Sequence, residues 1–465
     1  MLGVPVLALF PRVVLPAATA LGLPRSVRNR LRKLPGLCLP SEKTIRHTRA
    51  LLEVAEGTAV RSFALGNAVG AFVCDPVRLL ANLKQSGTQK LLVVGGDKGG
   101  APRGELKGGF TKLGVTYLNG DGNCSFQPLV AFEGEDSYDS LRRLAAPVLP
   151  FAGDSSNLPN IFSFFQQLID GGAFLNGDWP FLAAVLALKG ASANYPCVIC
   201  LQFKGTFAEI AELRKGHECH GSLRGPALLR IDASRIVPLP LHLLLGIGNR
   251  IIDKMCIPWC SEHTVSDVYA SLNIKVRHSP GNGGLSDLHG LSGPELTHLI
   301  KKEAIEELIR RTPGLTADQI SSLRIAAAWL KALHDPLLGA RKKWDAEAVT
   351  IFKTLVDGIV SDWKKVTGDH LFPKMHMLLH AAQFAGKHHM LGRVAESAME
   401  SGHSTFNVLY DNSHKNMAAH PDTRLSRSLS DQVYRTAHHF PRKGVLGNQQ
   451  PAQLNQHAAA PFDAR

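Results

Sequence analysis

Residues 91–96 read LLVVGG and run directly into Asp97. Four branched apolar residues followed by two glycines are too short for a buried helix and have the composition of a buried strand. GVTYL at 114–118 and APVLPFAG at 146–153 repeat that pattern, whereas FSFFQQLIDGG at 162–172 and WPFLAAVLALKG at 179–190 have helical spacing. Short apolar strands alternating with helices over residues 89–200 predict an α/β fold.

The regions on either side look different. The N-terminal residues 1–88 read as mainly helical and basic after a proline-broken start, with Ser41 placed to cap a helix over SEKTIRHTRALLEVAE. From 201 to 370 the pattern predicts a helical insertion. Leu296, Leu299, Ile300, Ala304, Ile305, Leu308 and Ile309 make one stripe, and Thr316 with Gln319 makes a capping box. A further helix from about Asp345 is expected to bury Ile351, Leu355, Ile359 and Trp363. Residues 371–440 form a closing helical region, and 441–465 read as a disordered tail.

A chain of 465 residues with 45% apolar and 20% charged residues can bury a sizeable core, which excludes global disorder. Its net charge of +13 favours a polyanionic partner. Eight cysteines are too few for a disulfide scaffold of this length. The apolar opening, residues 1–23, is interrupted by Pro5, Pro11, Arg12 and Pro16, and no run approaches the ~18 apolar residues of a membrane span, so no membrane is expected.

The residues able to carry chemistry are few. Asp97 ends a strand among glycines, which leave room for a phosphate or hydrated metal, although a turn aspartate looks the same. Asp178 precedes a helix and suits either an N-cap or a metal ligand. Cys197 and Cys200 have the two-residue gap of a tetrahedral metal site. Their partners are either His376 and His380, four apart on one helical face, or the nearby His217, Cys219 and His220 in GHECHG. Glu396 and Glu400 also share a helical face, with His403 beyond them. His242 reads as a core histidine among leucines, Cys256, Cys260 and His263 as a weaker second metal site, and His388 and His389 suggest no partner.

In chain order, two aspartates, a Cys-x-x-Cys, a long helical stretch, a histidine pair and an acidic helix resemble the catalytic core of the V(D)J recombination-activating protein and the related Transib transposases. The resemblance covers roughly residues 90–415. Its most specific parts are two intervals, nineteen residues from Asp178 to Cys197 and twenty from His380 to Glu400. It implies an RNase H-like core, a mixed sheet with flanking helices, interrupted by a large zinc-stabilised helical insertion. It also implies that Asp97, Asp178 and Glu400 form a catalytic triad for two Mg²⁺ or Mn²⁺ ions, with Glu396 a competitor for the last place. Cys197, Cys200, His376 and His380 would then hold a structural Zn²⁺, His376 being offset by one residue from the family pattern.

DNA as substrate, a homodimer, an accessory subunit and a nuclear location are further expectations of the same resemblance, as is two-metal phosphodiester cleavage and strand transfer. A DNA- or chromatin-binding protein that keeps the fold without turnover is the alternative. The chain has no clear counterpart of the recombinase's DNA-end-binding domain. Arg25, Arg28, Arg30, Arg32 and Lys33, with Arg46 and Arg49, are the basic residues placed to substitute for it.

Overall fold

The structure is a computed structural model, and it describes residues 58–65, 68–85, 90–99, 109–118, 124–145, 160–190, 192–214, 224–274, 291–339, 344–394, 397–414 and 421–437. Two compact units divide the chain, Glu56–Val433 and Met1–Ala55 with Tyr434–Arg465, and everything below concerns the first apart from the last turn of its final helix. The helix expected after Ser41, the basic residues from Arg25 to Arg49, the run APVLPFAG and the tail all lie outside the described residues.

Six strands form one mixed sheet: β1 (Val60–Leu65), β2 (Ala68–Val73), β3 (Lys90–Gly99), β4 (Phe110–Leu118), β5 (Cys124–Glu133) and β6 (Phe174–Gly177). Their order is β1-β2-β5-β4-β3-β6, antiparallel throughout except for the parallel pair β3/β6. The chain is therefore α/β, as its first strand signal predicts. Two strands fall where helix was expected: β1 and β2 form a hairpin within residues 1–88, followed by the expected kind of helix, α1 (Pro76–Gln85).

Strand β5 gave no sequence signal for a physical reason. Seven of its ten residues are buried in succession, so it shows no alternation, and Pro128 argues against a central strand. The proline is accommodated at an irregularity: Leu113 pairs with Val130 but Gly114 with Pro128, so Leu129 is an extra residue.

Helices α2 (Tyr138–Leu144), α3 (Ile161–Asp170) and α4 (Trp179–Val185) pack beside the sheet. Phe162, Phe164 and Phe165 of α3 and Phe181 of α4 are buried. Two glycines make the close packing of α4 possible. A Cβ at Gly96 would lie 2.4 Å from the Phe181 ring, and one at Gly177 would lie 2.2 Å from that ring and 2.6 Å from the Gly96 carbonyl oxygen. These glycines admit a phenyl ring, not the ligand that a glycine-flanked aspartate suggests.

Among the described residues the insertion becomes helical at Pro240; residues 201–214 and 224–239 are loops with one 3₁₀ turn, Ala233–Arg235. Then follow α5 (Pro240–Ile251), a π-helical stretch (Ile252–Cys256), α6 (Ile257–Cys260), α7 (Glu262–Ser271), α8 (Gly293–Lys301), α9 (Ala304–Arg311), α10 (Ala317–His334) and α11 (Ala346–Thr367). The expected stripe from Leu296 to Ile309 spans α8 and α9, which break where Glu303 takes a left-handed φ of 52°. In α11 the buried face runs through Phe352, Val356, Ile359 and Trp363, whereas Ile351 is 62% exposed. Helices α12 (Pro373–His388), α13 (Ser397–His414) and α14 (Pro421–Ala437) complete the unit. Among the described residues no helix is long and apolar enough to cross a membrane.

Candidate metal centres

The sheet register brings the two aspartates to one edge. Gly96 of β3 pairs with Gly177, the last residue of the parallel strand β6, and the residues that follow them are Asp97, still in β3, and Asp178, just past β6. Across β3, Asp97 pairs with Lys112 of β4. Asp178 also caps α4, its Oδ1 accepting from the Phe181 N–H at 2.8 Å, so the cap and the cluster member are one residue. Asp136 enters from the turn between β5 and α2, and one oxygen from each of Asp97, Asp136 and Asp178 lies within 4.8 Å of the others. Glu400, in the first turn of α13, stands near enough to raise the Asp97 carboxyl but outside the group of three whose oxygens lie within 4.8 Å of one another.

Crowding and burial act in one direction here. Burial first, then the charges of Asp178 and Glu400, push Asp97 up to about 10. Burial and the neighbouring Asp136 push Asp178 up to about 7, and burial raises Asp136. Carboxylates this close cannot all ionise without a compensating cation. Lys112, fully buried, supplies one positive charge toward Asp97 and Glu400; burial pushes it down to about 7 against the pull of those carboxylates. The arrangement is an oxygen-rich, electron-rich pocket suited to hard divalent cations.

Sequence reading missed Asp136, Lys112 and the position of His242. Asp136 sits in EGEDS, which has turn composition, and its role emerges only once β5 is known to end at the same edge as β3. His242 is half-buried and faces Asp178, whose acidity it increases, instead of lying among core leucines. Glu396 lies outside the described residues, as does the His403 side chain.

The second cluster joins the two ends of the insertion. Sγ of Cys197 and Cys200 and a ring nitrogen of His376 and His380 lie within 4.8 Å of one another, and all four residues are buried. The Ile199 and Cys200 N–H groups both donate to the Cys197 sulfur at 3.4 Å. Arg214 holds that loop, donating from Nε to the Cys197 carbonyl at 2.8 Å and from its terminal nitrogen to the Tyr195 carbonyl at 3.0 Å. Pro373 opens α12, and the i,i+4 spacing puts both histidines on one face.

Each imidazole is oriented from behind: His376 Nδ1 faces the Phe207 carbonyl at 3.3 Å and His380 Nδ1 faces Gln383 Oε1 at 3.1 Å. Both acceptors require Nδ1–H, which leaves the two Nε2 lone pairs facing each other at 3.2 Å, with the Cys200 sulfur 3.1 Å from His376 Nε2. Lone pairs converging in this way are relieved by a shared cation. A tetrahedral centre with bonds of about 2.0–2.3 Å spaces its ligands by roughly 3.3–3.8 Å, close to what is seen. Beside Cys197 first, and then the two histidines, the Cys200 thiol is held well below its usual range, whereas burial raises Cys197. His217, Cys219 and His220 lie outside the described residues.

No metal cluster forms at Cys256, Cys260 and His263. The cysteines are buried, but the His263 side chain is 88% exposed and pairs with Asp267. His388 does have partners, contrary to its sequence reading: it packs against Phe174 and Phe384 and bonds the Ser234 carbonyl at 2.8 Å. His389 ends α12 in the left-handed conformation, with a φ of 52°.

One hydrogen bond ties strand β6 to the approach to α13. Asn176 of β6, two residues before Asp178, donates from Nδ2 to the Val394 carbonyl at 2.5 Å, tying the strand to the turn that leads into α13 and Glu400. Compared with family models and with curated proteins, the chain matches none.

Proposed function

We propose that this chain is a metal-dependent DNA-cleaving and strand-transferring protein, a divergent relative of the V(D)J recombinase core and the Transib transposases. The observation that carries the reading is the convergence of Asp97, Asp178 and Glu400 at one sheet edge, although the first and last are 303 positions apart. The strand arrangement supports it: three antiparallel strands, β3 to β5, with β6 parallel beside the first of them, are in the order that the opening of an RNase H-like core would have. Beyond β6, a parallel bridge between Leu175 and Ile236 continues the sheet in the sense that fold requires.

On this reading Asp97, Asp178 and Glu400 hold two Mg²⁺ or Mn²⁺ ions, with Asp136 a fourth oxygen ligand in reach. Bound there, the two ions supply a deprotonated nucleophile and charge stabilisation at the leaving oxygen of the phosphodiester. The residues do the positioning. β3 and β6 fix the aspartates side by side, α4 locks the Asp178 rotamer through its cap, and the link from Asn176 to Val394 sets where α13 delivers Glu400. Cys197, Cys200, His376 and His380 hold Zn²⁺ structurally, closed to substrate by burial. DNA is the partner, and its phosphates match the chain's basic balance. The homodimer, an accessory subunit and nuclear location belong to the same proposal through the resemblance alone.

Mn²⁺-dependent nicking of supercoiled plasmid by the full chain tests the reading, with Asp178→Asn as the control that abolishes it. DNA binding without nicking would favour the non-catalytic alternative. Nicking that survives Asp178→Asn would overturn the assignment.

A further inference from the structure

A cavity of about 680 Å³ opens beside the carboxylate edge, between α4 and the helical insertion: Asp136 lines it, and so does Trp179, the residue after Asp178. That volume lies in the range of small-molecule sites, roughly 300–1,000 Å³. Its walls are of three kinds. Trp179 and Phe372 offer ring surface, Asn249 of α5 and Asp253 of the π-helical stretch offer acceptor oxygens, and Lys189 and Arg224 offer positive charge. Asn249 and Asp253 are four positions apart and share the helical face that borders the cavity. Lys189 and Arg224 are exposed, and Arg224 donates to the Lys189 carbonyl at 3.2 Å, which keeps the two cations together.

Trp179 is only 9% exposed, and among the described residues neither its Nε1–H nor the buried Asn249 Oδ1 meets a hydrogen-bond partner. A buried donor and a buried acceptor in one cavity are costly unless a ligand completes them. That ligand is flat, brings an acceptor for Trp179 and donors for Asn249 and Asp253, and carries negative charge for the cations. A nucleotide has all of these. Among the bases, guanine alone sets a ring N–H and an amino group side by side next to a carbonyl. Adenine and cytosine place their amino group beside a ring nitrogen that only accepts, and thymine places its N–H between two carbonyls.

We propose that the cavity is a guanine-selective nucleotide pocket. Trp179 Nε1 donates to the base carbonyl, Asn249 and Asp253 accept from the ring N–H and the amino group, Phe372 covers apolar ring surface, and Lys189 with Arg224 takes the phosphate. One source of such a nucleotide is a DNA strand whose guanine has left the base stack beside the carboxylate edge, and this source rests on the DNA reading above. A free guanine nucleotide is the other source of the same chemistry.

The test is fluorescence anisotropy of the full chain in chelator, titrated into labelled single-stranded thymine oligonucleotides that carry one guanine, adenine or hypoxanthine. The backbones are identical, so differences in affinity report the base. Guanine should bind about tenfold tighter than hypoxanthine, which lacks only the amino group. Asn249→Ala, and Trp179→Phe, which keeps a ring but loses the N–H, should each weaken guanine binding about tenfold and leave adenine binding unchanged. Equal affinity for all three bases would overturn the proposal, and that comparison needs only wild type if a variant does not fold. Displacement of the guanine oligonucleotide by free guanosine monophosphate makes the pocket a nucleotide site in its own right. A guanine preference that survives excess free nucleotide assigns it to the strand. A chain that prefers guanine but never nicks DNA with Mn²⁺ sinks the nuclease reading and leaves the pocket standing; one that nicks without any base preference sinks the pocket alone.

Discussion

Asp178 has two jobs that one substitution separates. Its oxygen caps α4 while its charge serves the carboxylate cluster. Asparagine caps as well as aspartate but is a much poorer ligand for a hard cation. Asp178→Asn should therefore change folding stability by less than about 1 kcal/mol below about pH 4, where the wild-type carboxyl is protonated too, and leave the fold and zinc content intact at neutral pH, while Mn²⁺-dependent nicking disappears. Calorimetry and metal analysis of the same sample check both halves, and loss of zinc or of the fold would count against the assignment. At this scale the sequence is legible where a residue type sits in a short recognisable string: Asp97 after LLVVGG, Asp178 before a helix, Cys197 and Cys200 two apart. Asp136 and Lys112 were not legible. An aspartate in EGEDS reads as a turn, and a lysine in FTKLGV reads as the solvent side of a strand. Only the assembled sheet reveals that both faces of β4 are covered there.

Elements were legible where local chemistry specifies them. The capping box at α10 is formed as expected, the Gln319 N–H donating to Thr316 Oγ1 at 3.2 Å and the Thr316 N–H to Gln319 Oε1 at 2.9 Å. Asp345 caps α11, its Oδ1 accepting from the Ala348 N–H at 2.8 Å. Strands buried on both faces, β5 above all, have no period to read. The contact of β3 and β6 with α4 depends on bare glycines, so Gly177→Ala should destabilise the protein by about 1–3 kcal/mol, because both the Phe181 ring and a backbone carbonyl stand in the way. The denaturation midpoint reads this directly, and a wild-type midpoint would show that α4 yields easily. On the zinc reading proposed for the second cluster, Cys197→Ser should remove the metal and cost several kcal/mol, since metal binding would contribute to folding free energy there. Unchanged zinc stoichiometry in that variant would remove Cys197 from the ligand set.

For the molecule as a whole, the convergence of Asp97, Asp178 and Glu400 could not be derived from propensity or periodicity. It comes from strand order and from a helical insertion that brings α13 back to the sheet. That convergence makes stability depend on pH. In the metal-free fold Asp178 is raised from 3.8 to about 7, so the folded state holds a proton more tightly than the unfolded chain. Its stabilising contribution is complete below about pH 4, is lost as pH rises toward 7, and changes no further above that. Wild type in a chelator should thus lose Tm relative to Asp178→Asn across that window, by an amount worth a few kcal/mol. A pH-independent difference between the two would mean that the carboxylates do not crowd one another in solution.

The Cys–His cluster closes a loop of great length, since Cys200 and His376 are 176 positions apart and yet in contact. Closing a loop becomes only about 0.6 kcal/mol more costly each time its length doubles. A clasp at the base of the insertion therefore insulates the sheet edge from whatever the loop contains. Helices can be gained, lost or exchanged above the clasp, and Glu400 still returns to the same place. The insertion is in this sense a cassette, and changing its length should disturb the carboxylate edge little as long as the clasp is kept.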